Sequence, residues 1–313
     1  MPAVERESVP RSLLDEDRAE DEPLRGAANA LALWERVVSH ISCLGPLPCG
    51  ILAVHRAAAD PEATATDLAE TLGADQALAG AVLRLANCAF FALPRRVSSL
   101  VDAVVLLGFE QVRTLAYTVW TGNLLRVLPR IGGVSPALLW RHSLATAISA
   151  KQLAMAGLFV DPDTAFTAGV LHDIGSVVVR ACAPRESLDC LIAARARDIP
   201  LHEAERELLG TAHTEVGGFL LSRWQLPPPL VESAGRHHEP ADDTPWAELV
   251  AIVHVADCVA VEAGYQPDYL PPRPPAPKAL QLLALEPKHL DVQRQALLAA
   301  VEKAKELFRL LSA

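Results

Sequence analysis

Residues 135–157, SPALLWRHSLATAISAKQLAMAG, set the reading of the whole chain. Ser135 is a residue type that caps a helix N-terminus with its hydroxyl, and Pro136 fits the first helical position because no amide partner is needed there. Gly157 closes the segment as a C-terminal glycine does, so one long helix is expected between them. The same grammar continues downstream in TAFTAGVLHDIGSVVVRA (164–181), ESLDCLIAARARD (186–198), PLHEAERELLG (200–210), HTEVGGFLLSRW (213–224), PPLVESAGRHH (228–238) and TPWAELVAIVHVADCVAVEAG (244–264). Upstream, ANALALWERVVSHISCL (28–44), ILAVHRAAA (51–59), TATDLAETL (64–72), ADQALAGAVLRLANC (74–88), SLVDAVVLLG (99–108) and EQVRTLAYTVWTGNLL (110–125) read as shorter helices, punctuated by Pro46, Pro48, Gly73, Pro94 and Gly108.

The expected fold is therefore all-α, with an N-terminal helical lobe over 28–132 packed on a helical bundle over 133–264. Residues 1–27 are expected to be a disordered acidic leader, since 1–25 hold eight acidic and four basic residues with almost no apolar period. Six prolines between Pro267 and Pro277 mark 265–288 as an extended linker. The stretch 289–313 reads as an amphipathic helix with Leu298, Val301, Ala304 or Lys305, and Phe308 on one stripe, expected to dock on its own domain rather than form a dimer seam.

Composition agrees with helices and excludes several functions. Aromatics are only 5% of 313 residues, and β-branched alternation is scarce. The net charge of −10 disfavours nucleic acid as a partner. No apolar run of about eighteen residues stands out and the N-terminus is acidic, so neither a membrane span nor a signal peptide is expected, and the reading is cytoplasmic. Six cysteines are scattered without a CxxC, which makes reduced structural thiols the default.

Ten histidines carry the remaining signal. His142, the pair His172-Asp173, His213, the pair His237-His238 and Asp257 fall on successive expected helices, separated by 30, 40, 24 and 20 residues. A bundle can direct one ligand per helix to a shared centre in this way. Neutral imidazole suits iron, zinc or manganese, and a carboxylate beside a ligating histidine can bridge two ions. Singly, each residue is better read as a partly buried or solvated side chain. Together they form a candidate metal site. His40, His55, His202, His254 and His289 stand outside the order, although His254 lies one turn before Asp257 on the same face.

LLWRHSLATA (138–147), TAGVLHDIGSVVV (167–179), ERELLGTAHTEVGGFLLSRWQLP (205–227) and RHHEP (236–240) resemble the successive signatures of the HDOD family. LGPLP (44–48), DPEATATDLAETL, ALAGAVLRLANCAFF and SLVDAVVLLGFEQVRTL are similar to its opening helices, so the resemblance spans roughly 40–262. It implies an all-helical protein with an HD-type bundle, acting as a signal-transduction output or adaptor. In related catalytic HD proteins the positions matching His142, His172, Asp173, His213, His237, His238 and Asp257 bind metal. HD-GYP phosphodiesterases, however, carry a lysine where this chain has Ser176, and a GYP motif where it runs HHEPADDTPW.

Three functions follow as expectations. The first is a regulatory module that binds a signalling protein partner, with a metal site of one or two divalent ions. The second is a metal-dependent phosphohydrolase acting on a nucleotide or other phosphoester, with Asp173 bridging the ions. DNA binding through 64–87 is the weakest, because its recognition helix offers only Arg84 as a basic residue. Oligomeric state is open.

Overall fold

Side-chain caps explain where many helices begin. In the computed structural model, which describes residues 33–39, 49–126, 134–157, 160–268, 270–304 and 308, Thr64 and Asp67 form a reciprocal capping box at the start of a helix. Asp75 accepts the amides of Ala77 and Leu78, Ser99 that of Asp102, Ser135 that of Leu138 and Asp161 that of Thr164. The helices are α1 (33–39), α2 (Cys49–Ala59), α3 (Ala65–Gly73), α4 (Gln76–Ala86), α5 (Leu100–Leu107), α6 (Phe109–Arg126), α7 (Pro136–Gly157) and α8 (Pro162–Leu171). Then come α9 (Ile174–Cys182), α10 (Pro184–Arg197), α11 (Leu201–Leu209), α12 (His213–Arg223), α13 (Pro228–Arg236), α14 (Ala247–Glu262), α15 (Pro277–Leu282) and α16 (Pro287–Lys303). No β-strand occurs among the described residues, so the all-α expectation holds. The leader expected over 1–27 lies outside the described residues, as does most of the helix expected over 28–44.

Helix α7 is the axle of the downstream half, packing on α8, α14 and α16. It approaches α8 closely because Gly169 has no side chain: a Cβ there would sit 2.6 Å from the Cα of Ala147. Helix α9 meets α12 in the same way, since a Cβ on Gly175 would lie 1.9 Å from the carbonyl oxygen of His213. These contacts pull together the helix ends that carry the histidines. Helix α6 joins the upstream helices to this set, with Trp120 edge-on to Trp224 at 4.8 Å and Thr114 hydrogen-bonded to Thr167 at 2.8 Å. One hydrophobic cluster extends from Leu33 to Ala304.

Four details add to or differ from the sequence reading. The segment 164–181 is two helices, because the His172 imidazole takes the carbonyl of Gly169 (2.8 Å) and Asp173 adopts φ −98°, ψ 14° before α9 starts. Pro162–Cys182 has the length and hydropathy of a spanning segment, yet 83% of its most apolar window is buried. The C-terminal helix docks on α7 and α14 through fully buried Leu297 and Ala304, with Val301 and Phe308 beside them, whereas Leu298 is 46% exposed. Within 265–288, the stretch expected as a linker, α15 forms and the prolines before it wall a cavity.

Candidate metal centre

The seven donors come from five places in the bundle. His142 projects from α7, His172 and Asp173 from the α8–α9 junction, His213 from the first turn of α12, His237 and His238 from the end of α13, and Asp257 from α14. The structure brings all seven together. Donor atoms of His142, His172 and Asp173 lie within 4.8 Å of one another, and those of His213, His237 and His238 form a second such group.

Asp173 stands between the groups. Its Oδ2 faces His142 Nε2 at 3.9 Å and His172 Nε2 at 3.8 Å, while its Oδ1 faces His213 Nε2 at 3.2 Å and His237 Nε2 at 3.8 Å. Asp257 Oδ1 is 3.1 Å from His142 Nε2, and the Nε2 atoms of His142 and His172 are 3.3 Å apart.

The far nitrogens settle the tautomers. The Nδ1 of His142 donates to the carbonyl of Tyr265 (2.9 Å), that of His172 to Gly169, and that of His237 to Ala234 (3.2 Å). His213 Nδ1 donates to Glu205 at 2.6 Å, and the same carboxylate accepts the His213 amide at 2.8 Å. A carbonyl or carboxylate only accepts, so in the neutral rings the proton sits on Nδ1 and the Nε2 lone pair turns inward. Fixing imidazole orientation through an outer acceptor is how ligating histidines are held. The Nε2 atoms of His213 and His237 are buried without a hydrogen-bond partner, an expense that a cation at the centre would remove. The donor set therefore fits one or two divalent transition metals.

Electrostatics point the same way. Burial opposes charge on His142, but the bond to Asp257, the charges of Asp257 and Asp173, and the Tyr265 carbonyl raise its pKa to about 9. On His213 burial likewise opposes charge, and Glu205 and Asp173 outweigh it, holding the pKa well above normal. Burial, reinforced by His172, pushes His237 down to about 3, and burial with His237 beside it drives His238 well below its ordinary value. Burial would raise Asp257, yet His142 brings it to about 2. The carboxylates stay ionised among imidazoles that compete for a positive charge.

Several participants fall outside the ligand order read from the sequence. Glu205 looks like any charge on the amphipathic α11, and only the fold sets it beside His213. His202 stacks on His238 with ring centroids 4.3 Å apart. His254, marked by its spacing to Asp257, donates Nδ1–H to the His237 carbonyl (2.7 Å) and accepts the Ala276 amide (2.8 Å), so it orients α13 and ties down the proline segment. The centre opens into a cavity of about 310 Å³.

An all-helical bundle with a histidine-aspartate cluster of this order defines a protein of the HD type. The HDOD domain profile matches residues 44–240, and the chain belongs to the HDOD domain family. A structure from Shewanella amazonensis SB2B, provisionally described as a phosphohydrolase, superposes with TM-score 0.68 at 26% identity, covering 88% of this chain and 98% of that one. An HDOD domain protein of Geobacter sulfurreducens superposes with TM-score 0.68 at 26% identity, over 90% of this chain and 97% of that one. A protein of Treponema pallidum (strain Nichols) is 26% identical over 227 residues, and the chain spans 43% of that relative's length.

Proposed function

We propose that the chain is a cytoplasmic signal-transduction output module that binds a protein partner and holds iron, zinc or manganese at its histidine-aspartate centre. The observation that carries the metal reading is Asp173, whose two oxygens face opposite pairs of imidazoles with inward Nε2 atoms. His142, His172, Asp173 and Asp257 would hold one ion and His213, His237 and His238, with Asp173 shared, a second. Bound there, a metal would act as a Lewis acid toward a phosphoryl oxygen. Regulation rather than turnover is favoured by Ser176, which stands in the cavity wall where the related phosphodiesterases carry lysine.

A second reading, a phosphohydrolase, is favoured by the completeness of the donor set, since a scaffold has no chemical need for seven convergent ligands. The test is incubation of metal-loaded protein with cyclic di-GMP, nucleotides and bis(p-nitrophenyl) phosphate. The module reading expects no release of product above that of Asp173→Ala. Turnover that Asp173→Ala abolishes overturns it in favour of the hydrolase.

A further inference from the structure

Helix α9 carries a second feature on the face that begins with Asp173. Ser176 and Arg180, four residues apart and so one above the other, both line the 310 Å³ cavity. Arg180 is only 6% exposed. Among the described residues it makes no hydrogen bond, and no carboxylate oxygen comes within 4.0 Å of it. The nearby acids have other partners. Glu205 is bonded to His213, Asp173 faces four imidazoles, and Asp268 accepts the amide of Leu270 at 3.0 Å. A guanidinium this largely buried, with no protein partner among the described residues and open only to the cavity, is placed for a ligand there, and its planar fork matches phosphoryl oxygens.

We infer that Arg180 is the phosphoryl-binding cation of this cavity, taking the place left by Ser176, and that the ligand is a phosphorylated small molecule. Leu139, Leu201, Val261 and Leu270 line the remaining wall and suit an apolar body on that ligand. The proline segment closes the far side, fastened by Arg273 to Asp198 and by the Asp268 carbonyl to Arg195. The inference rests on the metal reading in one respect: a divalent cation beside Asp173 and Asp257 offsets their repulsion of an anion and so strengthens its binding.

The test uses the full chain, manganese and inorganic phosphate, with bound manganese measured on every sample before calorimetric titration. Native, manganese-loaded protein should bind phosphate, and Arg180→Gln should weaken that binding by about tenfold or more with manganese content unchanged. Ser176→Lys placed on Arg180→Gln should restore it, because a lysine one turn earlier reaches the same space. If Arg180→Gln loses its cooperative melt, Arg180→Met keeps the buried stem and carries the same comparison. Manganese-loaded native protein that binds no phosphate at millimolar concentration, or an Arg180→Gln variant that binds it equally well, overturns the inference while the metal reading stands. Arg180-dependent phosphate binding by a chain that takes up no manganese supports the inference and removes the metal reading. A chain that takes up neither overturns both.

Discussion

Gly175→Ala tests whether close helix contact assembles the metal centre. Its new Cβ would lie 1.9 Å from the His213 carbonyl oxygen and 2.5 Å from the Gly217 nitrogen, both backbone atoms that no rotamer change can move. Ordinary contact begins near 3.4 Å, so α9 and α12 must part by roughly 1.5 Å. Asp173 and His213 ride on those two helices with only 3.2 Å between Oδ1 and Nε2, a gap the separation would open by nearly half. Metal sites tolerate about 0.2 Å. The expected cost is about 3 kcal/mol of stability, which lowers the melting temperature by roughly 6–12 °C. Metal content should fall with it. Gly80→Ala is the control, because its Cβ meets only the flexible end of Arg84 at 3.4 Å within α4 and should stabilise by about 0.5–1 kcal/mol. A Gly175→Ala protein that melts and loads metal like the native chain would refute this account of assembly.

Glu205→Gln removes the charge behind His213 while keeping an acceptor, and metal affinity measured by chelator competition should drop about 10–100-fold with the fold retained; unchanged affinity would show that Glu205 does not tune the ligand. Asn87 donates to the carbonyls of Leu83 and Val97 and accepts the Val97 amide, each at 2.8 Å. Asn87→Ala strands the Val97 groups and should cost about 2–3 kcal/mol in urea unfolding without altering metal content, and an unchanged midpoint would contradict it. Metal uptake at pH 7 should release protons, because in the metal-free centre His142, its pKa raised to about 9, and His213, held well above normal, must give up the Nε2 protons that face Asp257 and Asp173. The His142 share of that release should fade as pH rises through about 9, and so should the stability its protonated ring lends the metal-free fold, which is fully present only below pH 6.5. Potentiometric titration that detects no proton release at pH 7 would contradict the assignment.

The order of ligands was legible because each helix contributes one histidine or acid at an interval that a helix and its turn can span. The cap at Ser135 was legible for the same local reason, while those at Asp75 and Ser99 emerged only with the structure. The break at His172-Asp173 was not, since the apolar pattern runs through it and the interruption comes from an imidazole taking a helix carbonyl. Glu205 and Arg180 resemble surface charges in the sequence. Their burial depends on α11 and α12 folding back and on the proline segment covering the cavity, contacts between distant parts of the chain. Of the C-terminal stripe, Val301, Ala304 and Phe308 face inward as read, and only the first position differs, with Leu297 inside in place of Leu298, because neighbouring apolar residues at the edge of a helical face cannot be told apart by spacing alone.

Elemental analysis of native protein purified without oxygen and without chelator, beside His172→Ala and Asp173→Ala, tests the central claim most directly. The account predicts near-stoichiometric iron, zinc or manganese in the native chain and loss of it in both variants. A native chain that carries no metal and takes none up when offered, or variants that keep the metal, would contradict it.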